Sequence, residues 1–272
     1  MAITTEDGIV AGLKPSVTLQ KNSFTGEAAG HWHCLGLVAG NPGVWTFGAP
    51  GMSGATVTTN TLGGALNWSN PASGNAYLAR LAAAVGANVI ALKFFDLLWY
   101  QTGIAEATTT AQTVNSVAWP ARDRNGSTNG DGGEVAIVAT TATTNAGAIA
   151  NTSLQYTNSA GTAGRSANLV QSWPATAVAG TLVPFGLQGS DVGVRSVQTV
   201  TLGTSYAGGQ ADLIAYRELA LVPFVAPSSG MLLDWAALGL PQLHNDSAIY
   251  AMALLSGTAA GATNASANYA HG

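Results

Sequence analysis

From residue 153 onward one arrangement keeps returning: a short apolar or alternating run, then a turn signal, then another run. The runs are Ser153–Thr157, Leu182–Leu187, Val192–Leu202, Ala211–Leu221 and Met231–Ala236. Between them stand Asn158-Ser-Ala-Gly161, Gly189-Ser-Asp191, Gly208-Gly209 and Pro227-Ser-Ser-Gly230. Val200 and Leu202 alternate with polar neighbours, as one face of a half-buried strand must. Strands at this pace specify a sandwich or a barrel, and the absence of a fixed period argues against a solenoid. The expected fold is therefore all-β: a β-sandwich or jelly-roll-like domain over residues 31–272. Residues 1–30 are expected to form an extended N-terminal arm with a short helix. At 272 residues, 47% of them hydrophobic, the chain can bury one core of this kind, and two smaller β domains are the alternative.

The first half is less regular. Thr4 or Thr5 can cap a helix over Thr5–Leu13, with Glu6 and Asp7 in its first turn and Pro15 as its stop. Residues 40–64 are dense in Gly, Pro, Ser and Thr and read as a long loop, yet they contain Trp45 and Phe47. Aromatics in such a loop imply that it lies against a surface, its own or a neighbour's. Tyr77–Ala84 and Val89–Tyr100 read as two strands paired through a Val-Gly-Ala-Asn turn. Gly126–Gly133 reads as a polar hairpin tip ahead of a strand over Glu134–Thr144.

Charge is scarce. Only 22 of 272 side chains are formally charged, 8% of the chain against about 25% in an ordinary soluble protein. So few charges give little protection against association and few acids or bases for chemistry. Both point to a built structure such as a coat, a fibre or a surface layer, and away from an enzyme. The nine basic residues are scattered and only Arg122 and Arg124 are close, so no phosphate-binding stripe exists and nucleic acid is not an expected partner. Cys34 stands alone, so no intrachain disulfide forms, which suits assembly in a reducing cytoplasm. The opening residues lack a secretory signal, and the longest apolar stretches fall short of the roughly 20 residues of a bilayer span. A soluble, unexported chain with no membrane partner is expected.

The chemical motifs are weak. His31-Trp-His33-Cys34 sets two imidazoles on one strand face, a spacing that can hold zinc, but His244 and His271 are distant in sequence. An ordinary strand with Trp32 and Cys34 buried explains the cluster equally. Asp123, Asp131 and Glu134 beside the Gly-rich loop could hold calcium, although their spacing is not that of an EF-hand. No nucleophile elbow, phosphate loop or dinucleotide fingerprint is present. No catalytic residue, metal or cofactor is expected. The candidate functional residues are aromatics for a protein interface: Trp32, Trp45 and Phe47.

Several blocks resemble a family of tailed-bacteriophage virion proteins. They are Asn22-Ser-Phe24 with His31-Trp-His-Cys-Leu-Gly-Leu-Val-Ala-Gly-Asn-Pro-Gly43, and Gly64-Ala-Leu-Asn-Trp-Ser-Asn-Pro71 with Tyr77-Leu-Ala-Arg-Leu81. Asp96-Leu-Leu-Trp99, Gln112-Thr-Val-Asn-Ser116 and Tyr156-Thr-Asn-Ser-Ala-Gly-Thr-Ala-Gly-Arg165 follow. Gly193-Val-Arg-Ser-Val-Gln-Thr-Val-Thr-Leu202 and Ala237-Leu-Gly-Leu-Pro241 complete the series. The resemblance implies a non-enzymatic virion component, foremost a capsid decoration or cement protein on the capsid surface. Its implied partners are the major capsid protein and copies of itself in a homotrimer, assembled in the host cytoplasm. Residues 1–30 and 40–64 are the expected contact segments. A tail-fibre or other receptor-binding tail protein is the alternative, although such chains show repeats or a coiled coil that this one lacks.

Overall fold

A computed structural model describes residues 3, 5–46, 48–59 and 61–272. The chain is all-β, 43% strand and 5% helix, as expected. Helix α1 (Glu6–Gly12) is followed by β1 (Val17–Lys21), β2 (Phe24–Thr25), β3 (Trp32–Cys34), β4 (Gly40–Asn41) and β5 (Ala55–Thr56). The long strands β6 (Ala76–Val85) and β7 (Val89–Tyr100) come next, then β8 (Gln112–Thr113) and β9 (Gly133–Thr141). The second half carries β10 (Ser153–Asn158), β11 (Arg165–Leu169), β12 (Thr181–Gly186), β13 (Val194–Thr201), β14 (Gln210–Pro223) and β15 (Gly230–Leu233). Helix α2 (Trp235–Leu238), β16 (Gln242–Leu243), β17 (Ile249–Leu255), β18 (Ala259–Ala260) and β19 (Thr263–His271) complete it. Among the described residues no helix is long and apolar enough to cross a membrane.

Six strands close on themselves. Antiparallel pairing runs β3–β17–β7–β14–β9–β12 and returns from β12 to β3, forming a barrel. The register around it goes Pro223, Ala91, Leu254, Trp32, Leu182, Val138 and back to β14 at Asp212, eleven residues from the start. That stagger is the shear that closure of a tilted sheet requires. Phe95, Leu97, Ala136, Val138, Leu182, Ile214, Tyr216, Tyr250 and Met252 fill the lumen. The barrel is buried on its outer side too, which explains why β7, β9, β14 and β17 read as nearly unbroken apolar runs.

A six-stranded sheet, in the order β15–β6–β19–β1–β4 with β16 also on β6, packs against one side of the barrel. Leu78, Leu81 and Val85 from the sheet meet Leu92, Phe94, Val222 and Leu255 from the barrel. On another side β11, β10, β13 and β8 extend the barrel's own sheet over a second core around Val135, Ile137, Leu213, Tyr156 and Trp173. Each large apolar side chain in these layers contributes about 1.5–3 kcal/mol by leaving water.

Two local expectations change. The strands expected at 77–84 and 89–100 both form, but β6 and β7 do not pair; they lie in different sheets. The turn between them is a corner that lets Val85 and Val89 enter the same core from opposite walls. Gly126–Gly133 leads into β9 but is not the tip of a hairpin, because β9 bonds to β12 and β14 while Asp131 makes an isolated bridge to Gly193.

Residues 5–25 are extended apart from α1. Thr5 caps that helix, its hydroxyl accepting from the Gly8 amide at 3.1 Å. β1 pairs with β19 inside the six-stranded sheet. Lys21 then fixes the start of the 40–64 loop, its ammonium donating to the carbonyls of Val38, Pro42 and Gly43 at 3.1, 2.7 and 3.1 Å. Burial lowers its pKa to about 8. Farther along, Val57 and Leu62 of the loop join the lumen core.

Candidate functional site at the barrel mouth

One end of the barrel opens to water, and the strands that reach it supply a ring of unlike residues. β3 brings Trp32, β7 Lys93, β9 Glu134, β14 Tyr216, Glu218 and Leu221, and β17 Leu254. Paired residues on adjacent strands share a face. Leu221 and Lys93 therefore continue the row of Met252 and Cys34, and Leu254 sits between Ala91 and Trp32. Lys93 is the centre of the ring. Its ammonium lies 2.8 Å from Glu218 Oε2 and 3.6 Å from Glu134 Oε2. The rings of Trp32 and Tyr216 lie 5.6 and 5.9 Å from the same nitrogen, within cation–π range. Burial, then the charge of Glu134, pushes the Tyr216 phenol well above its ordinary pKa, so it stays protonated and donates to Glu134 Oε2 at 2.9 Å.

A cavity of about 460 Å³ adjoins the mouth, with Arg124, Glu134, Asp191, Arg217, Glu218 and Gln242 on its wall. Arg217 belongs to a buried cluster around Asp96. The Asp96 carboxylate accepts from Ser247 Oγ at 2.7 Å and the Ala248 amide at 2.9 Å. Two guanidiniums flank its Oδ2, Arg122 Nε at 3.4 Å and Arg217 Nη2 at 3.7 Å. Burial lowers the Arg217 pKa, opposed by Asp96. Arg122 also binds three backbone carbonyls, those of Val57 at 2.6 Å, Leu97 at 2.8 Å and Asp246. This cluster ties loop to barrel and leaves no free acid or base.

Other acids are buried away from this cluster. Glu106 Oε1 accepts from the Ala211 amide at 2.5 Å, while its Oε2 has no hydrogen-bond partner. Burial raises its pKa to about 7, the neighbouring Asp212 adding to the shift, and burial raises Asp212 to about 6. Glu27 accepts from Thr181 and bonds His33, whose ring stacks on Phe24.

The residues weighed as metal ligands spend their side chains on their own neighbourhood. Asp123 uses its carboxylate on its own turn, accepting from the amides of Asn125, Ser127 and Asp131 and from the Ser127 hydroxyl. Burial pushes its pKa up, but these donors outweigh it and hold Asp123 below its usual range. Asp131 takes the Asn125 side chain and Glu134 stands at the barrel mouth. His31 bonds backbone carbonyls and His33 bonds Glu27. Among the described residues no group of three or more metal-ligating side chains forms.

The interface aromatics separate. Trp32 is half-buried at the mouth. Trp45 is 4% exposed, its ring packing on Gly36 and edge-on to Tyr250 at 4.8 Å. It anchors the long loop to its own chain. Phe47 lies outside the described residues. Sequence reasoning missed Lys93, Arg217 and Glu218 and weighed Glu134 only for calcium, although charges inside otherwise apolar strands were the available signal.

No protein-family model and no curated protein matches the chain. Among solved structures it shows weak similarity to particles of infectious bursal disease virus VP2. The VP2 subviral particle aligns over 96% of this chain and 81% of that one, with 9% identity and a TM-score of 0.22. A structure of the Gx strain of infectious bursal disease virus aligns over 95% and 82%, with 9% identity and a TM-score of 0.19. T=1 particles of a mutant VP2 align over 99% and 80%, again with 9% identity, at a TM-score of 0.21. Scores of this size carry no functional weight.

Proposed function

We propose that the chain is a structural virion protein that binds the outside of a tailed-phage capsid as a decoration or cement protein. In this reading it is not an enzyme. Its partners are the major capsid protein and copies of itself, as a homotrimer, assembled in the host cytoplasm and resident on the capsid surface. The observation that carries the reading is where the charge goes. Of the 22 charged side chains, eight are buried: Lys21, Glu27, Asp96, Glu106, Arg122, Asp123, Asp212 and Arg217. Fourteen remain for a surface of 10,458 Å². So sparse a surface lets many copies lie side by side with little mutual repulsion, and repetition allows each contact to be modest. The ordered sequence blocks quoted above point the same way.

The test is stoichiometry in purified particles. A gel band approaching the intensity of the major capsid protein supports decoration. A band at a few copies per particle moves the chain to the tail, and its absence ends the reading.

A further inference from the structure

We propose that Asn129 is a site of spontaneous covalent modification: its side-chain amide is lost through attack by the Gly130 nitrogen, leaving aspartate or isoaspartate. The inference stands apart from the virion reading. The chain contains two Asn-Gly pairs, Asn125-Gly126 and Asn129-Gly130, in one turn-rich segment ahead of β9. The reaction needs a side-chain amide free to swing back, a following backbone nitrogen free to attack, and no Cβ on the attacking residue to obstruct the ring. In sequence the two pairs are equal. In the fold they differ. The Gly126 amide donates to the Asp123 carbonyl at 3.1 Å, and the Asn125 side chain donates to Asp131 Oδ2 at 2.8 Å, so both reactants of the first pair are engaged. Asn129 is exposed and bonds through its backbone amide, which donates to Ser127 Oγ at 3.1 Å. Among the described residues neither its side chain nor the Gly130 amide finds a hydrogen-bond partner. The torsions that carry Cγ onto that nitrogen belong to Asn129 itself.

Gly130 N bonds to Asn129 Cγ and loses its proton to hydroxide. The Cγ–Nδ2 bond breaks, and the departing nitrogen takes up a proton and leaves as ammonia. Water then opens the cyclic imide. Cleavage at Cγ gives aspartate on an unchanged backbone. Cleavage at the backbone carbonyl gives isoaspartate, whose main chain runs through Cβ and Cγ and is one atom longer. Gly130 is wedged where that atom matters: a Cβ there would strike the Val194 carbonyl, its own carbonyl accepts from the Gly133 amide at 2.9 Å, and Asp131 bridges Gly193. The isoaspartyl product therefore loosens the turn that leads into β9. Both products add a negative charge to a chain that carries few.

The experiment incubates the folded full chain in mildly alkaline buffer, digests it and follows both pairs by mass spectrometry. Fragment ions locate each change, and labelling by an isoaspartyl methyltransferase marks the isoaspartate. Because attack at Asn125 must first break two hydrogen bonds, Asn129 should convert at least about tenfold faster. In a urea-unfolded sample that contrast should vanish, since each Asn then has the same glycine neighbour, and Asn129→Gln should abolish the fast conversion in the folded chain. Equal rates in the folded chain, or faster loss at Asn125, overturn the proposal. So does no loss at either pair over a time in which the unfolded chain converts both. If Asn129→Gln does not fold, the comparison of the two pairs in the natural chain decides alone.

Discussion

The carboxylate of Glu27 bonds His33 Nδ1 at 2.8 Å and accepts from Thr181 Oγ1 at 2.9 Å, and His33 and Thr181 are themselves register partners across β3 and β12. That pairing closes the barrel, and it consists of only two residue pairs, Thr181 with His33 and Leu182 with Trp32. One buried acid from the N-terminal segment thus holds both sides of the closing seam. Glu27→Ala removes the acceptor for both and leaves buried polar groups unsatisfied, at a cost of about 3 kcal/mol. Urea unfolding should show the midpoint drop, with Glu27→Gln losing less.

Arg122→Ala is expected to cost about 3–5 kcal/mol, because it strips Asp96 of one of its two cations and frees three carbonyls at once. The same unfolding experiment checks it. A loss below about 1 kcal/mol would mean that the network reorganises around Arg217.

Stability should depend on pH through Glu106 and Asp212. Their folded pKa values, about 7 and about 6, lie above the ordinary carboxylate range. The native state therefore holds protons that the unfolded chain releases. Their contribution is fully present at pH values below about 4 and is lost as pH rises through 6 and 7. Glu106→Gln removes one of the two charges that develop, so it should stabilise the chain by about 1–2 kcal/mol at pH 8 and by almost nothing at pH 4. Thermal melts of the two proteins across that range should converge at the acid end.

Gly36→Ala should disturb the long loop. A β-carbon at Gly36 would fall within the ring of Trp45, so the indole must move away from Tyr250. Overpacking of this kind costs about 1–3 kcal/mol. A red-shifted tryptophan emission in the folded variant would report the displaced ring.

The strands of the second half were legible because their signal is local. Val200 and Leu202 alternate with polar neighbours, and Ala211–Leu221 lies wholly inside β14. Barrel closure was not legible. It depends on a three-residue strand, Trp32–Cys34, meeting Thr181 and Leu182 from far along the chain. The corner between β6 and β7 was misread because the same short turn can return a strand to its own sheet or carry it into the facing one. The mouth was half visible: Trp32 stands out for its aromatic ring, while Lys93 is a single charge in an apolar run. Only the closed sheet brings Lys93, Glu134 and Glu218 together.

β14 places Leu213 and Ala215 in the core beneath β10–β13, Ile214 and Tyr216 in the lumen, and Leu219 and Val222 in the core against the six-stranded sheet. No layer can melt while the others stay intact, since all three lean on the same fourteen-residue beam. Calorimetry should accordingly show one sharp heat-absorption peak, with no shoulder for a domain coming apart early.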